Sequence, residues 1–304
     1  PRERPPPAAP TAAPPAPSAA IMPKPAPATL EQIVARKRQE VEAAKGASTI
    51  EKFQERIEEL GRPRNFFGAV TRHPHRGHTS VIAEIKRRSP SAGLIRPEYE
   101  GEGFDPVRIA KQYHAAGAAA ISCLTDEPFF GGHLSFIHRV RAAVPLPVLR
   151  KDFIIDPWQI WESRAAGADA ILLIAECLRE GELIDLMILA QQLQLTTLVE
   201  VHDVENLLRV RPHVGFPARS YMLLGVNNRD LTTMTTDVNH TLRLADLVED
   251  RSVLVSESGI RSPEDLARLR DHGVQIVLVG ESLMREPEPG EALRRLLSPY
   301  QYGS

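Results

Sequence analysis

From about residue 80 onward the chain alternates short, almost wholly apolar runs with longer amphipathic stretches. Eight such runs recur: SVIAEIK (80–86), AAISCLT (119–125), PVLRK (147–151), DAILLIA (169–175), TTLVEV (196–201), MLLGVN (222–227), SVLVSES (252–258) and QIVLVG (275–280). Runs that are apolar on nearly every residue suit strands covered on both faces, as parallel strands are. Between them lie helix-like segments such as DPVRIAKQYHAAG, DPWQIWESRAAG, LREGELIDLMILAQQL and SPEDLARLRDHG, several opening on a capping Asp or Ser and closing on Gly. Strand-then-helix units in this number predict an α/β fold, a (β/α)8 TIM barrel. An open doubly wound sheet is the alternative, but it expects a Gly-x-Gly-x-x-Gly turn after its first strand, which Gly101 and Gly103 do not supply.

Ahead of the strands, Leu30, Ile33, Val34 and Val41 keep helical spacing with Thr29 placed as N-cap, and a second stretch from Ile50 to Leu60 repeats the pattern. Residues 29–304 are therefore expected to form the barrel, with extra N-terminal helices over about 29–79. Residues 1–28 hold 11 of the 26 prolines, interleaved with alanine, and predict a disordered Pro/Ala-rich tail. That tail lacks the apolar centre of a secretory signal and has few serines and arginines for a transit peptide.

Composition narrows the function classes. With 37 basic and 39 acidic residues in 304, the charge balance gives no reason to expect nucleic acid. No apolar run approaches the ~18 residues of a membrane span. Cys123 and Cys177 are too far apart for a CxxC motif and suit a reducing cytoplasm.

In a barrel the C-terminal strand ends form the active face. Polar residues gather there on six runs: Glu84 and Lys86, followed by Arg87, Arg88, Ser89 and Ser91; Lys151 and Asp152; Glu200, with His202 beyond it; Asn227, Asn228, Arg229 and Asp230; Glu257, Ser258 and Gly259; Gly280 and Glu281. Any one of them alone would suit a structural ion-pair network equally well. Two lysines and two or three carboxylates converging on one cavity suit general acid and base chemistry on an anionic substrate. SESGI and VLVGESL place small residues where loops turn into helix N-termini, which suits a phosphate, although these glycines would also serve tight turns. His73, His75 and His78 have a metal-like spacing but no carboxylate or cysteine beside them. Trp158 and Trp161 read as packing residues, and the loop from Arg87 to Phe104 as a lid or an ordinary long connection.

The segments VIAEIKRRSPSAG, LTDEPFFGG, PVLRKDFIIDPWQI, AGADAILLI, LVEVHDVEN, LGVNNRDL, VSESGI and LVGESLM, in this order, resemble the indole-3-glycerol phosphate synthase family, from about Leu30 to the end of the chain. LEQIVARKRQEVEAAK looks like the helices that family places before its barrel. The resemblance implies a carbon–carbon lyase of tryptophan biosynthesis that needs no metal or organic cofactor. Its substrate would be 1-(2-carboxyphenylamino)-1-deoxyribulose 5-phosphate, its steps ring closure, decarboxylation and dehydration. Carried onto this chain, Lys151 matches the general acid and Lys86 a lysine that contacts substrate anions and acts in dehydration. Glu200 matches the carboxylate that assists proton removal, while Glu84 and Asn227 match residues that orient the intermediate. Phe153 matches a residue beside the aromatic ring, and Ser89, Arg229, Glu257 and Ser258 fall among the substrate-binding positions. Lys86, Ser258, Gly259, Gly280 and Glu281 fall at the phosphate, where the Glu281 carboxylate would repel it and only its N–H can help. The implied partners are a phosphorylated small molecule and other tryptophan-pathway enzymes. Another phosphosugar barrel, such as an isomerase or a Schiff-base aldolase, and a silent barrel that binds through its tail are the competing readings.

Overall fold

The computed structural model describes residues 28–72, 77–230 and 233–299. Eight strands follow one another in the chain: β1 (Ser80–Ile85), β2 (Ala120–Leu124), β3 (Val148–Lys151), β4 (Ala170–Ile174), β5 (Thr196–Val201), β6 (Met222–Asn227), β7 (Leu254–Glu257) and β8 (Ile276–Val279). Each pairs in parallel with the next, and β8 closes on β1 with Ile82 opposite Leu278. The sheet is thus a closed barrel, and the open doubly wound alternative is excluded. The apolar runs overshoot the strands by one or two residues; Ser252 and Val253, for instance, belong to a 3-10 turn (Arg251–Val253).

Capping chemistry sets the helices between strands. Those at Pro106–Ala115, Pro157–Ala165 and Pro263–Asp271 begin with Asp105, Asp156 and Ser262, whose side chains accept a backbone N–H of the first turn. Proline follows each cap, where its missing N–H costs nothing. Gly117, Gly167 and Gly273 reverse the chain just past their ends at φ +91°, +92° and +79°.

Period-two alternation splits the apolar strand residues into two cores. Val81, Ala83 and Ile85 pack outward beneath the helices, while Ile82 packs inward with Leu149, Leu198 and Val255. The stretch expected to be helical over 29–60 is broken at 46–49 into α1 (Leu30–Lys45) and α2 (Ile50–Leu60). Thr29 caps α1 in a reciprocal capping box with Gln32. Phe66 and Val70 of α3 (Phe66–Thr71) then join the inner core. Trp158 packs as expected, edge-on against Phe53 at 5.2 Å, with its indole N–H donating to Ser48 O. Residues 1–27, which make up the expected tail apart from Ala28, and His73 and His75 lie outside the described residues.

The N-terminal helices are fastened at both ends of the barrel. Arg64 N–H donates to Asp169, whose other oxygen accepts from Val148 N–H at the start of β3. At the opposite end, buried Lys37 of α1 lies 2.9 Å from Asp126 and 3.0 Å from Asp152. Asp152 also meets Arg150 at 3.1 Å and Thr125 Oγ1 at 2.6 Å. Burial works against the Asp152 charge, but Arg150 and Lys37 outweigh it and lower its pKa to about 2.

Removing one partner of such a network strands buried charge. Lys37→Met is expected to destabilise the fold by about 3–5 kcal/mol in urea denaturation; a loss under about 1 kcal/mol would show that α1 does not depend on this contact. Asp152 contributes stability that is present above its unfolded pKa of about 4 and is lost as the pH falls through the folded value. Melting temperatures measured from pH 5 down to 2 should therefore fall more steeply for the wild type than for Asp152→Asn.

Candidate active site

Inward-facing residues two positions beyond the inner apolar layer are charged on all four odd-numbered strands: Glu84 on β1, Lys151 on β3, Glu200 on β5 and Glu257 on β7. Side chains of alternate strands form one layer inside a barrel, so these four share a level at the strand ends. Lys151 Nζ lies 3.0 Å from Glu200 Oε2 and 3.5 Å from Glu257 Oε2. Lys86 reaches back over the same mouth to Glu84 Oε1 at 2.5 Å.

Three of these groups hold each other's protonation states. Burial disfavours the Lys151 ammonium, but Glu200, Glu257 and Glu84 around it more than compensate and raise its pKa. Burial likewise opposes the Glu200 charge, but Lys151 and His202 outweigh it and hold the carboxyl below its ordinary value. Glu257 goes the other way: burial, then the charge on Glu200, push it well above the usual carboxylate range. The surroundings thus favour the charged form of Glu200 and the neutral form of Glu257 beside one ammonium.

Glycines on two even-numbered strands make room for this layer. A Cβ at Gly225 of β6 would collide with Glu257 Oε1, and one at Gly280, just past β8, would stand 2.5 Å from Glu84 Oε1. Gly280 was expected from the sequence for its turn; Gly225 was missed, because inside an apolar run nothing distinguishes a glycine that houses a carboxyl.

Above the layer opens a cavity of about 980 Å³, lined by Glu84, Lys86, Ser89, Lys151, Phe153, Glu200, Asn227, Arg229, Glu257, Ser258, Gly259, Gly280 and Glu281, but not by Arg87, Arg88, Asn228 or Asp230. Phe153 stands on one side with Phe130, ring centres 6.0 Å apart. Ser89 belongs to a small hairpin (Arg88–Ser89 with Gly93–Leu94) and accepts from Ala92 N–H at 3.1 Å, so part of the 87–104 loop does form a wall of the cavity. Asn227 receives the Arg229 N–H at 3.0 Å. Asn228 turns away, binding Ser256 Oγ and Ser258 O and accepting from Thr241, a structural tie. Leu30 and Ile33 of α1 also line the cavity; from the sequence they read only as the apolar face of a helix.

Opposite the aromatic side lie the two turns expected to take a phosphate. Ser258 and Gly259 both adopt left-handed backbone, φ +68° and +77°. For Ser258 this costs about 1 kcal/mol, a strain that Asn228 helps to hold by binding its carbonyl. Here the expectation needs correcting: the loop after β7 does not run straight into a helix N-terminus, since the helix starts only at Pro263. Gly280 does cap a short helix, Glu281–Met284. The Glu281 carboxylate is drawn aside by Arg285 at 2.7 Å and Arg229 at 3.2 Å. Its charge is therefore matched by two guanidinium groups at the cavity rim. Among the described residues no three His, Cys, Asp or Glu side chains are grouped to hold a metal ion, and no helix is long and apolar enough to cross a membrane.

Residues 30–296 match the sequence profile described as indole-3-glycerol phosphate synthase. The chain belongs to the indole-3-glycerol phosphate synthase family. A relative of that name from Acidithiobacillus ferrooxidans is 47% identical over 267 residues, covering 88% of this chain and 97% of the relative. Another from Rhodopirellula baltica is 53% identical over 219 residues, 72% of this chain and 80% of that one. Among solved structures, 3-hexulose-6-phosphate synthase from Salmonella typhimurium superposes with a TM-score of 0.56 at 14% identity, covering 72% of this chain and 96% of its own. A mutant tryptophan synthase α-subunit from Pyrococcus furiosus gives 0.54 at 13%, covering 72% and 97%. At this identity these two show a shared fold alone, while the synthase family match spans barrel and N-terminal helices together.

The charged layer of this family member should be sensitive to volume. Gly225→Ala is expected to keep the far-UV circular dichroism of the fold but to lower kcat/KM about 100-fold by displacing Glu257. Activity within twofold of wild type would show that the carboxyl has room to move.

Proposed function

We propose that this chain converts 1-(2-carboxyphenylamino)-1-deoxyribulose 5-phosphate into indole-3-glycerol phosphate, carbon dioxide and water. The observation that carries the reading is the Lys151 ammonium, buried between Glu200 and Glu257 at the floor of a cavity with an aromatic wall at one side and small-residue turns at the other. Ring closure interrupts the aromaticity of the anthranilate ring and turns the ribulose carbonyl into an alkoxide. Both costs fall when the chain is held folded over the ring and a cation meets the developing charge.

In the first step the ring carbon bearing the carboxylate bonds to the ribulose carbonyl carbon, and Lys151 gives its proton to the carbonyl oxygen. Loss of carbon dioxide returns the bonding pair to the ring and restores aromaticity. In the last step Glu200 takes a proton from the methylene beside the nitrogen while the new hydroxyl leaves as water, protonated by Lys86. Glu84 holds Lys86 at 2.5 Å, and Asn227 faces the intermediate's hydroxyls. Phe153 and Phe130 offer the aromatic ring an apolar wall. Ser89, Glu257 and Ser258 complete the substrate contacts, and Lys86, Ser258, Gly259, Gly280 and Glu281, the last through its N–H, take the phosphate, with Arg229 pairing the Glu281 carboxylate. A place in the cytoplasm agrees with its two free cysteines, and other tryptophan-pathway enzymes are its proposed partners.

Indole fluorescence on mixing with the carboxyphenylamino-deoxyribulose phosphate tests the assignment. Wild type should form product, while Lys151→Ala and Glu200→Gln should each lose about 100- to 10,000-fold in kcat. Binding without turnover by the wild type, or a Lys151→Ala variant of near-normal rate, would overturn it.

A further inference from the structure

His202 plays no part in the steps above, yet it stands just past β5 on the wall of the same cavity. Its ring lies between two carboxylates, Nδ1 3.3 Å from Glu176 Oε2 and Nε2 3.5 Å from Glu200 Oε1. The main chain there is clamped as well. His202 N–H donates to Glu176 Oε1 at 2.8 Å, and its carbonyl lies 2.8 Å from His240 Nε2. Glu176 sits on the 3-10 turn Ala175–Cys177 after β4 and is not among the residues that line the cavity.

The Glu200 carboxylate has two oxygens with different tasks. Oε2 is held by Lys151 at 3.0 Å, and Oε1 faces His202. A carboxylate tethered at one oxygen still turns about its last torsion, which is broad and nearly two-fold; a partner at the second oxygen fixes its plane. We propose that His202, steered by Glu176, is a positioning residue for Glu200, holding Oε1 while Lys151 holds Oε2 so that the base meets substrate in one orientation. This inference rests on the role given to Glu200 above.

The groups facing the imidazole are Glu176 after β4, Glu200 on β5 and Lys151 on β3, with His240 of the helix Asn239–Ala245 at its carbonyl. Burial disfavours the imidazolium and Lys151 repels it, but Glu176 and Glu200 outweigh both and raise its pKa. The charged ring carries an N–H on each nitrogen and serves both carboxylates; the neutral ring carries one and leaves a carboxylate facing a lone pair. The hold on Glu200 is therefore complete below the raised pKa and weakens as the pH rises through it.

The test is kcat and KM against pH for wild type, His202→Ala, His202→Gln and Glu176→Gln. His202→Ala should lose about tenfold in kcat with KM within about twofold. His202→Gln, whose amide keeps a donor but does not titrate, should recover most of that rate and move the alkaline limb of kcat to higher pH. Glu176→Gln should move that limb to lower pH. Alkaline limbs that superimpose in all four proteins would overturn the proposal, whatever happens to Tm. Imidazole NMR titration needs no turnover and separates this failure from that of the reaction. A His202 resonance that titrates lower in Glu200→Gln supports the coupling, and one that does not move refutes it, even if the wild type proves inactive on the substrate.

Discussion

A buried ammonium costs several kcal/mol unless opposite charge meets it at close range, and Lys151 is met from across the barrel by Glu200 and Glu257. The arrangement at the mouth follows from that requirement. Three carboxyl groups and one ammonium occupy a single layer, with Lys86 pairing Glu84 from above, so burial and mutual repulsion favour the neutral form of one carboxyl. Glu257 is the carboxyl pushed upward, because it is buried beside the charge of Glu200 and lies farther from the ammonium. An acid and a base thus result from packing, before any substrate enters.

The same logic repeats one shell out. Lys37 brings α1 onto the strand ends by meeting Asp126 and Asp152, and Arg150 meets Asp152 from the outer face of β3. Lys151 and Arg150 are neighbours in sequence and point to opposite faces of their strand, one toward chemistry and one toward support. Because α1 is anchored there, Leu30 and Ile33 become part of the cavity wall. Of the N-terminal helices, α1 thus supplies part of the wall of a cavity otherwise lined by the barrel's strand ends and loops.

Opposite the aromatic side, charge is handled by diversion. A carboxylate at Glu281 would repel a phosphate of the kind proposed for the Gly280 turn, yet Arg285 and Arg229 pair with it at the cavity rim. Ser258 and Gly259, both in left-handed backbone, turn the chain beside them. His202 lies between two carboxylates, Glu176 at 3.3 Å and Glu200 at 3.5 Å, the contacts on which its proposed positioning role rests.

The sequence by itself determined the strands and helices, since short, almost wholly apolar runs, Asp or Ser caps and closing glycines act over a few residues. It also singled out Glu84, Lys86, Lys151, Glu200 and Glu257, because charge inside an apolar run is costly unless paired or used. Only the tertiary structure decided which carboxyl is pushed toward its neutral form, that Gly225 makes room for Glu257, that Lys37 is buried, and that His202 lies between Glu176 and Glu200. Each of these depends on closure of the barrel, which brings residues from strands tens of positions apart within a few ångströms. Coulomb energy and desolvation respond to that distance and not to separation along the chain.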